Sequence, residues 1–125
     1  MFDNEYCKVT YEPDANAVVL AWKKFSSFEN YRNPSRYALE QLRVHKGSSF
    51  IVDARNGFED GKEDVEWVLT EFLPYMVKTD CKNVIFVMNE VNHIENEMDM
   101  WTLEFGKYVT VKKVQTLEEA FRILY

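Results

Sequence analysis

Two apolar runs, each ending in polar residues and each followed by a stretch of helical periodicity, constrain this chain more than anything else in it. The first is Phe50-Ile-Val-Asp-Ala-Arg-Asn56, which leads into Asp64-Val-Glu-Trp-Val-Leu-Thr-Glu-Phe-Leu-Pro74. The second is Val84-Ile-Phe-Val-Met88, followed by apolar residues at Ile94, Met98, Trp101 and Phe105. A short apolar run without alternation is the mark of a strand buried on both faces, and a helix after each run is the connection that parallel strands require.

The remaining elements fall into place around these two units. Tyr6 to Glu12 and Ala17 to Trp22 are β-rich, and the turn formers Pro13-Asp-Ala-Asn16 between them predict a hairpin. A first helix carries Tyr31, Ser35, Ala38, Leu39, Leu42 and His45 on one face. Pro34 is expected in its first turn, Ser27 and Asn33 are both N-cap candidates, and Gly47 closes it. The second helix has the stripe Val65, Val68, Leu69, Phe72 and Met76 and is expected to kink or end at Pro74. Val109, Val111 and Val114 mark a last strand, and Thr116-Leu-Glu-Glu119 is a capping box for a final helix with Leu117, Ala120, Phe121 and Leu124 inward. The predicted order is ββαβαβαβα. It describes a single layered α/β domain over residues 1–125, with a mostly parallel five-stranded sheet and an antiparallel N-terminal edge strand.

Charge and composition exclude several classes of function. Fifteen basic residues against 21 acidic ones give a net charge of −6, which argues against nucleic acid and anionic membrane surfaces. No apolar run approaches the length of a membrane span, and Met1-Phe-Asp-Asn-Glu-Tyr6 lacks the pattern of a signal peptide. Cys7 and Cys81 form no metal or redox spacing and read as small core residues, so a reducing cytoplasm is the simplest location. No zinc, calcium-loop, phosphate-loop or dinucleotide pattern is present, so no cofactor is expected.

The N-terminal hairpin, the strand end Asp53-Ala-Arg55-Asn56, the helix from Trp67 to Pro74 and the terminal helix with Leu117-Glu-Glu-Ala120 resemble the SpoIIAA-like (STAS-type) family. The resemblance covers nearly the whole chain in element order. It implies a sheet of near-sequential strand order and a non-enzymatic binding or regulatory role. In the antagonist branch of that family a phosphorylatable serine opens the helix after the central strand. Here the segment from Asn56 to Asp64 contains no Ser or Thr, so that switch is not available. Ser26 and Ser27 are the competing hydroxyls on the same predicted edge.

Candidate binding residues cluster at the carboxyl edge of the sheet, where open α/β sheets present ligands. Asp53, Arg55 and Asn56 leave one strand there, and Asn89, Glu90 and His93 leave the next. Together they would form a polar pocket with Arg55 as an anion anchor. The structural alternative is that Asp53 caps its loop and Arg55 pairs with a neighbouring acid. Glu59, Asp60, Glu63 and Asp64 precede and open the second helix, with Glu95 and Glu97 opening the third. Helix dipoles favour acids there, and the same acids would add into a negative edge suited to a basic protein. Trp67 is offset from its helix's apolar stripe and is placed either on the core's flank or against a partner. His45 and His93 have no nucleophile at a recognised spacing.

The expectation is therefore a binding module working through protein contacts, with a basic protein or a second copy of the chain as partner. The alternative is a carrier of a small apolar ligand or lipid held between the sheet and the second and third helices. An uncharacterised enzyme is the third reading.

Overall fold

In the computed structural model, which describes residues 1–89 and 95–125, the chain forms one six-stranded mixed sheet with helices on both faces. The strands are β1 (Phe2–Asp3), β2 (Cys7–Glu12), β3 (Ala17–Trp22), β4 (Ser49–Asp53), β5 (Asn83–Val87) and β6 (Thr110–Val114). They lie side by side in chain order. β1, β2 and β3 pair antiparallel, and β3 to β6 run parallel. The α/β layering and sequential order agree with the sequence reading. The short β1, which pairs Phe2 with Val9, is an addition to the five expected strands. The helices are α1 (Glu29–Val44), α2 (Lys62–Trp67), a π-helical turn (Val68–Phe72), α3 (Leu73–Val77), α4 (Glu95–Gly106) and α5 (Leu117–Leu124).

Strand order dictates where the helices go. Successive parallel strands that always step in the same direction, each joined by a right-handed crossover, put every crossover helix on one face of the sheet. The main core accordingly joins Val18, Leu20, Phe50, Val84 and Phe86 of the strands to residues of α1, the π-turn, α3 and α4, among them Leu42, Phe72, Met76 and Trp101. The opposite face, built on Val19, Ile51 and Ile85, is covered by α5 through Ala120, with Leu117, Phe121 and Leu124 packed around it. Both faces of β5 are thus buried, which explains its unbroken apolar run. Cys7 and Cys81 are buried free thiols.

The expectation for Pro34 is corrected, and of the two outcomes expected at Pro74, a kink or an end, the end is excluded. Pro34 is the sixth residue of α1, beyond the first turn, and is buried there. The chain tolerates it because Asn30, whose carbonyl loses its usual donor, is exposed to water. Neither Ser27 nor Asn33 caps α1: the N-cap is Phe28, and its N–H donates to both carboxylate oxygens of Asp64 at 3.0 and 3.2 Å. Nor does the second helical segment end at Pro74. The Leu73 N–H reaches back to the Val68 carbonyl, and this wider turn lets the helical path continue to Val77. The capping box at Thr116 is as expected, with Thr116 Oγ1 accepting from the Glu119 N–H at 3.0 Å.

Asp64, 1% exposed, also accepts from Arg32 Nε at 3.0 Å. One carboxylate therefore caps α1 and ties it to α2. Asp64→Asn should destabilise the fold by about 2–3 kcal/mol, the scale of hydrogen bonds to a charged group, whereas Glu63→Gln, on an exposed neighbour, should change it by less than about 0.5 kcal/mol. Urea denaturation of both variants checks this, and equal losses would mean that Asp64 carries no such tie.

Candidate functional site

A cavity of about 70 Å³ lies between the sheet and α1, the π-turn and α4. Its apolar walls include Leu20 and Phe50 from the strands and Val68, Met98 and Phe105 from the helices. Trp22, Tyr31, Phe58 and Trp101 are among the aromatic residues that also line it. Trp22 stacks on Tyr31 at 5.0 Å between ring centroids, and Phe58 meets Trp22 edge-on at 5.5 Å.

At one end the lining turns polar. The Tyr31 hydroxyl, buried on α1, donates to Asp60 Oδ2 at 2.6 Å. The Asp60 N–H donates to Glu97 Oε1 at 2.9 Å. Among the described residues no basic side chain forms an ion pair with either acid. Burial pushes the Asp60 carboxyl up to about 8, the neighbouring Glu97 and Asp64 charges add to the rise, and the Tyr31 hydrogen bond opposes it. Burial also raises the Glu97 carboxyl, against the hydrogen bond it receives from the Asp60 backbone. Tyr31 is held well above its ordinary value, by burial first and then by Asp60. At neutral pH Asp60 is therefore largely protonated at the edge of an apolar cavity.

The candidates read from the sequence divide sharply. Asp53 and Arg55 satisfy each other: Arg55 Nε and a terminal guanidinium nitrogen donate to the two Asp53 oxygens at 2.9 and 2.7 Å, and the Arg55 N–H adds a third bond at 3.2 Å. This is the structural alternative weighed for them. Asp53 shares its register position with Val87, on the α5 face and away from the cavity. Asn89 does reach the same edge, donating to the Arg55 carbonyl at 3.3 Å, while Asn56 is exposed beside it. Glu90 and His93 lie outside the described residues.

The four acids before and within α2 do not form one exposed edge. Asp60 lines the cavity and Asp64 is buried against α1, which leaves Glu59 and Glu63 in solvent. Trp67 is half-buried on the flank of the core. Tyr31 meets its ring edge-on and the guanidinium groups of Arg32 and Arg36 sit over it at 5.8 and 5.4 Å. His45 caps the C-terminus of α1 and stacks on Tyr11 at 3.5 Å. Ser26 is buried with its hydroxyl donating to the Lys24 carbonyl.

Tyr31 and Glu97 were the members that sequence reasoning left in other roles, as a core residue and a helix-opening acid. The signals for them existed. A tyrosine on a buried helical face needs a partner for its hydroxyl, and Glu97 stands four residues before Trp101 on the shoulder of an apolar stripe. No three His, Cys, Asp or Glu side chains among the described residues converge as metal ligands. Among those residues, no helix is long and apolar enough to cross a membrane. No family model, curated protein or solved structure matches the chain.

The raised Asp60 value has a consequence for stability. The folded carboxyl holds its proton to about 8, while an unfolded one releases it near 3.9. The stabilisation from the protonated form is complete below the unfolded value and is lost as pH rises through the folded one. Urea melts of the wild type should therefore show stability falling between about pH 5 and about pH 8, with a shallower fall in Asp60→Asn. Identical slopes in the two proteins would remove Asp60 as the titrating group.

Proposed function

We propose that this chain is a non-enzymatic binding domain whose ligand is a small molecule with an apolar end, held between the sheet and the helices. The observation that carries this reading is the cavity itself, apolar along its walls and polar at one end, where Tyr31, Asp60 and Glu97 meet. Few convergent polar groups in an otherwise apolar pocket give orientation to a ligand, and perturbed carboxyls mark such places. Of the hydroxyls lining the cavity, Ser35 is spent on the Tyr31 carbonyl at 2.8 Å, which leaves it poorly placed as a nucleophile. A SpoIIAA-like relationship belongs to the same proposal and is supported by the sequential strand order.

Protein docking is the second reading. Two aromatic side chains favour it, Phe25 at 59% and Phe28 at 53% exposure, on the segment leading into α1. If docking is the function, a Phe25→Ser, Phe28→Ser double variant should lose any partner captured by the wild type.

For the leading reading, protein purified without denaturation should release a small organic molecule on unfolding, detected by mass spectrometry. Val68→Phe, which fills the cavity wall at a cost of about 1–3 kcal/mol, should fold and come without it. An empty wild-type protein whose melting temperature is also unmoved by n-butanol, n-butylammonium and butyrate would overturn the reading.

A further inference from the structure

We infer that the ligand is a small organic cation, an alkylammonium whose tail enters the cavity and whose charged head meets Asp60 and Glu97. The inference rests on the binding reading above and assigns its ligand class.

The size of the cavity limits the tail. A cavity of about 150 Å³ admits benzene, so one of about 70 Å³ admits a chain of about three or four carbons and no long acyl chain. The walls suit the tail: Trp22, Tyr31, Phe58 and Trp101 line the space together with Leu20, Val68 and Met98.

The acids at its end are provided for differently from the other buried acids of the fold. Asp64 receives Arg32, and Asp53 receives Arg55. Asp60 and Glu97 receive one neutral donor each in the described structure, the Tyr31 hydroxyl and the Asp60 backbone N–H. A carboxyl group offers about four acceptor positions, so capacity for an ammonium remains on both. The groups around them repel an anion. Asp64 lies on α2 with its charge matched by Arg32 of α1, Glu59 precedes α2, and Tyr31 faces Asp60 from α1. Glu90 and His93 lie outside the described residues. A carboxylate ligand would place another negative charge among these groups, whereas an ammonium neutralises them.

Linkage gives the sign of the pH response. An ammonium binds the ionised acids and displaces the proton that Asp60 otherwise keeps to about 8, so affinity rises with pH up to that value. The alkylammonium itself stays charged to about pH 10.

The test is a titration of isotope-labelled protein with n-butylammonium, n-butanol and butyrate, read by NMR at the indole N–H signals. Trp22 and Trp101 line the cavity, and Trp67 does not, so it serves as the internal control. The expected result is saturable movement of the first two signals with n-butylammonium, its affinity rising by up to about tenfold per pH unit below pH 8. An Asp60→Asn, Glu97→Gln variant, shown folded by circular dichroism, should bind n-butylammonium no better than n-butanol. Butanol or butyrate binding as tightly as n-butylammonium in the wild type overturns the cation assignment while leaving the cavity as a binding site. The same holds if affinity is flat with pH or the double variant is unaffected. Failure of all three probes to move either signal overturns both.

Discussion

The handedness of the parallel crossovers governs this molecule. Because β3, β4, β5 and β6 follow one another across the sheet, right-handed connections place α1, α2 to α3, and α4 on the same face. That face must be a thick layer, packed with the chain's large side chains. Three successive connections meet there above the central strands, and the space enclosed between their helices and the sheet is the cavity. The final helix follows the last strand and closes no crossover, so it alone is free to cover the other face. A one-helix cover suffices because that face offers small and β-branched residues, Ala17, Val19, Ile51 and Ile85.

Two acids four residues apart show how burial is resolved in opposite ways. Asp64 is fully buried and keeps its charge company, with a guanidinium and a backbone N–H directed at it. Through these bonds it joins two helices. Asp60 is taken from water without a cation in the described structure and instead holds a proton, beside a second acid whose charge it would otherwise oppose. The first arrangement is what stability asks of a buried carboxylate. The second leaves carboxyl groups with unused hydrogen-bonding capacity at the end of an apolar cavity.

The entry to α1 is the other place where the backbone departs from ease. Phe28 adopts φ 50° and ψ −122°, a region that a bulky side chain rarely enters. The strain is held by its N–H bonds to Asp64, the same carboxylate that fixes α2. Phe25, on the same segment, meets Phe58 of the cavity wall edge-on at 5.3 Å. The strained segment, the α1–α2 tie and the cavity thus share neighbours.

Periodicity and turn chemistry in the sequence were enough to place the long strands, the helices and their faces, because those are local consequences of where apolar residues recur. The buried run at Val84–Val87, the Thr116 cap and the stripe of Met98, Trp101 and Phe105 were all legible in this way. The proline positions were less so: whether Pro34 and Pro74 end a helix depends on exposure of the freed carbonyl and on a π-turn, and neither is written in the spacing. The site was legible only in fragments. Sequence pointed to polar residues at the strand ends and to acids at helix starts, and could not tell Asp53, neutralised by its own neighbour Arg55, from Asp60, which meets Tyr31 and Glu97 from distant parts of the chain. Asp60 belongs to the site because folding brings α1 and α4 against its loop. The burial that raises its carboxyl is a property of that assembly, and no residue type or local spacing contains it.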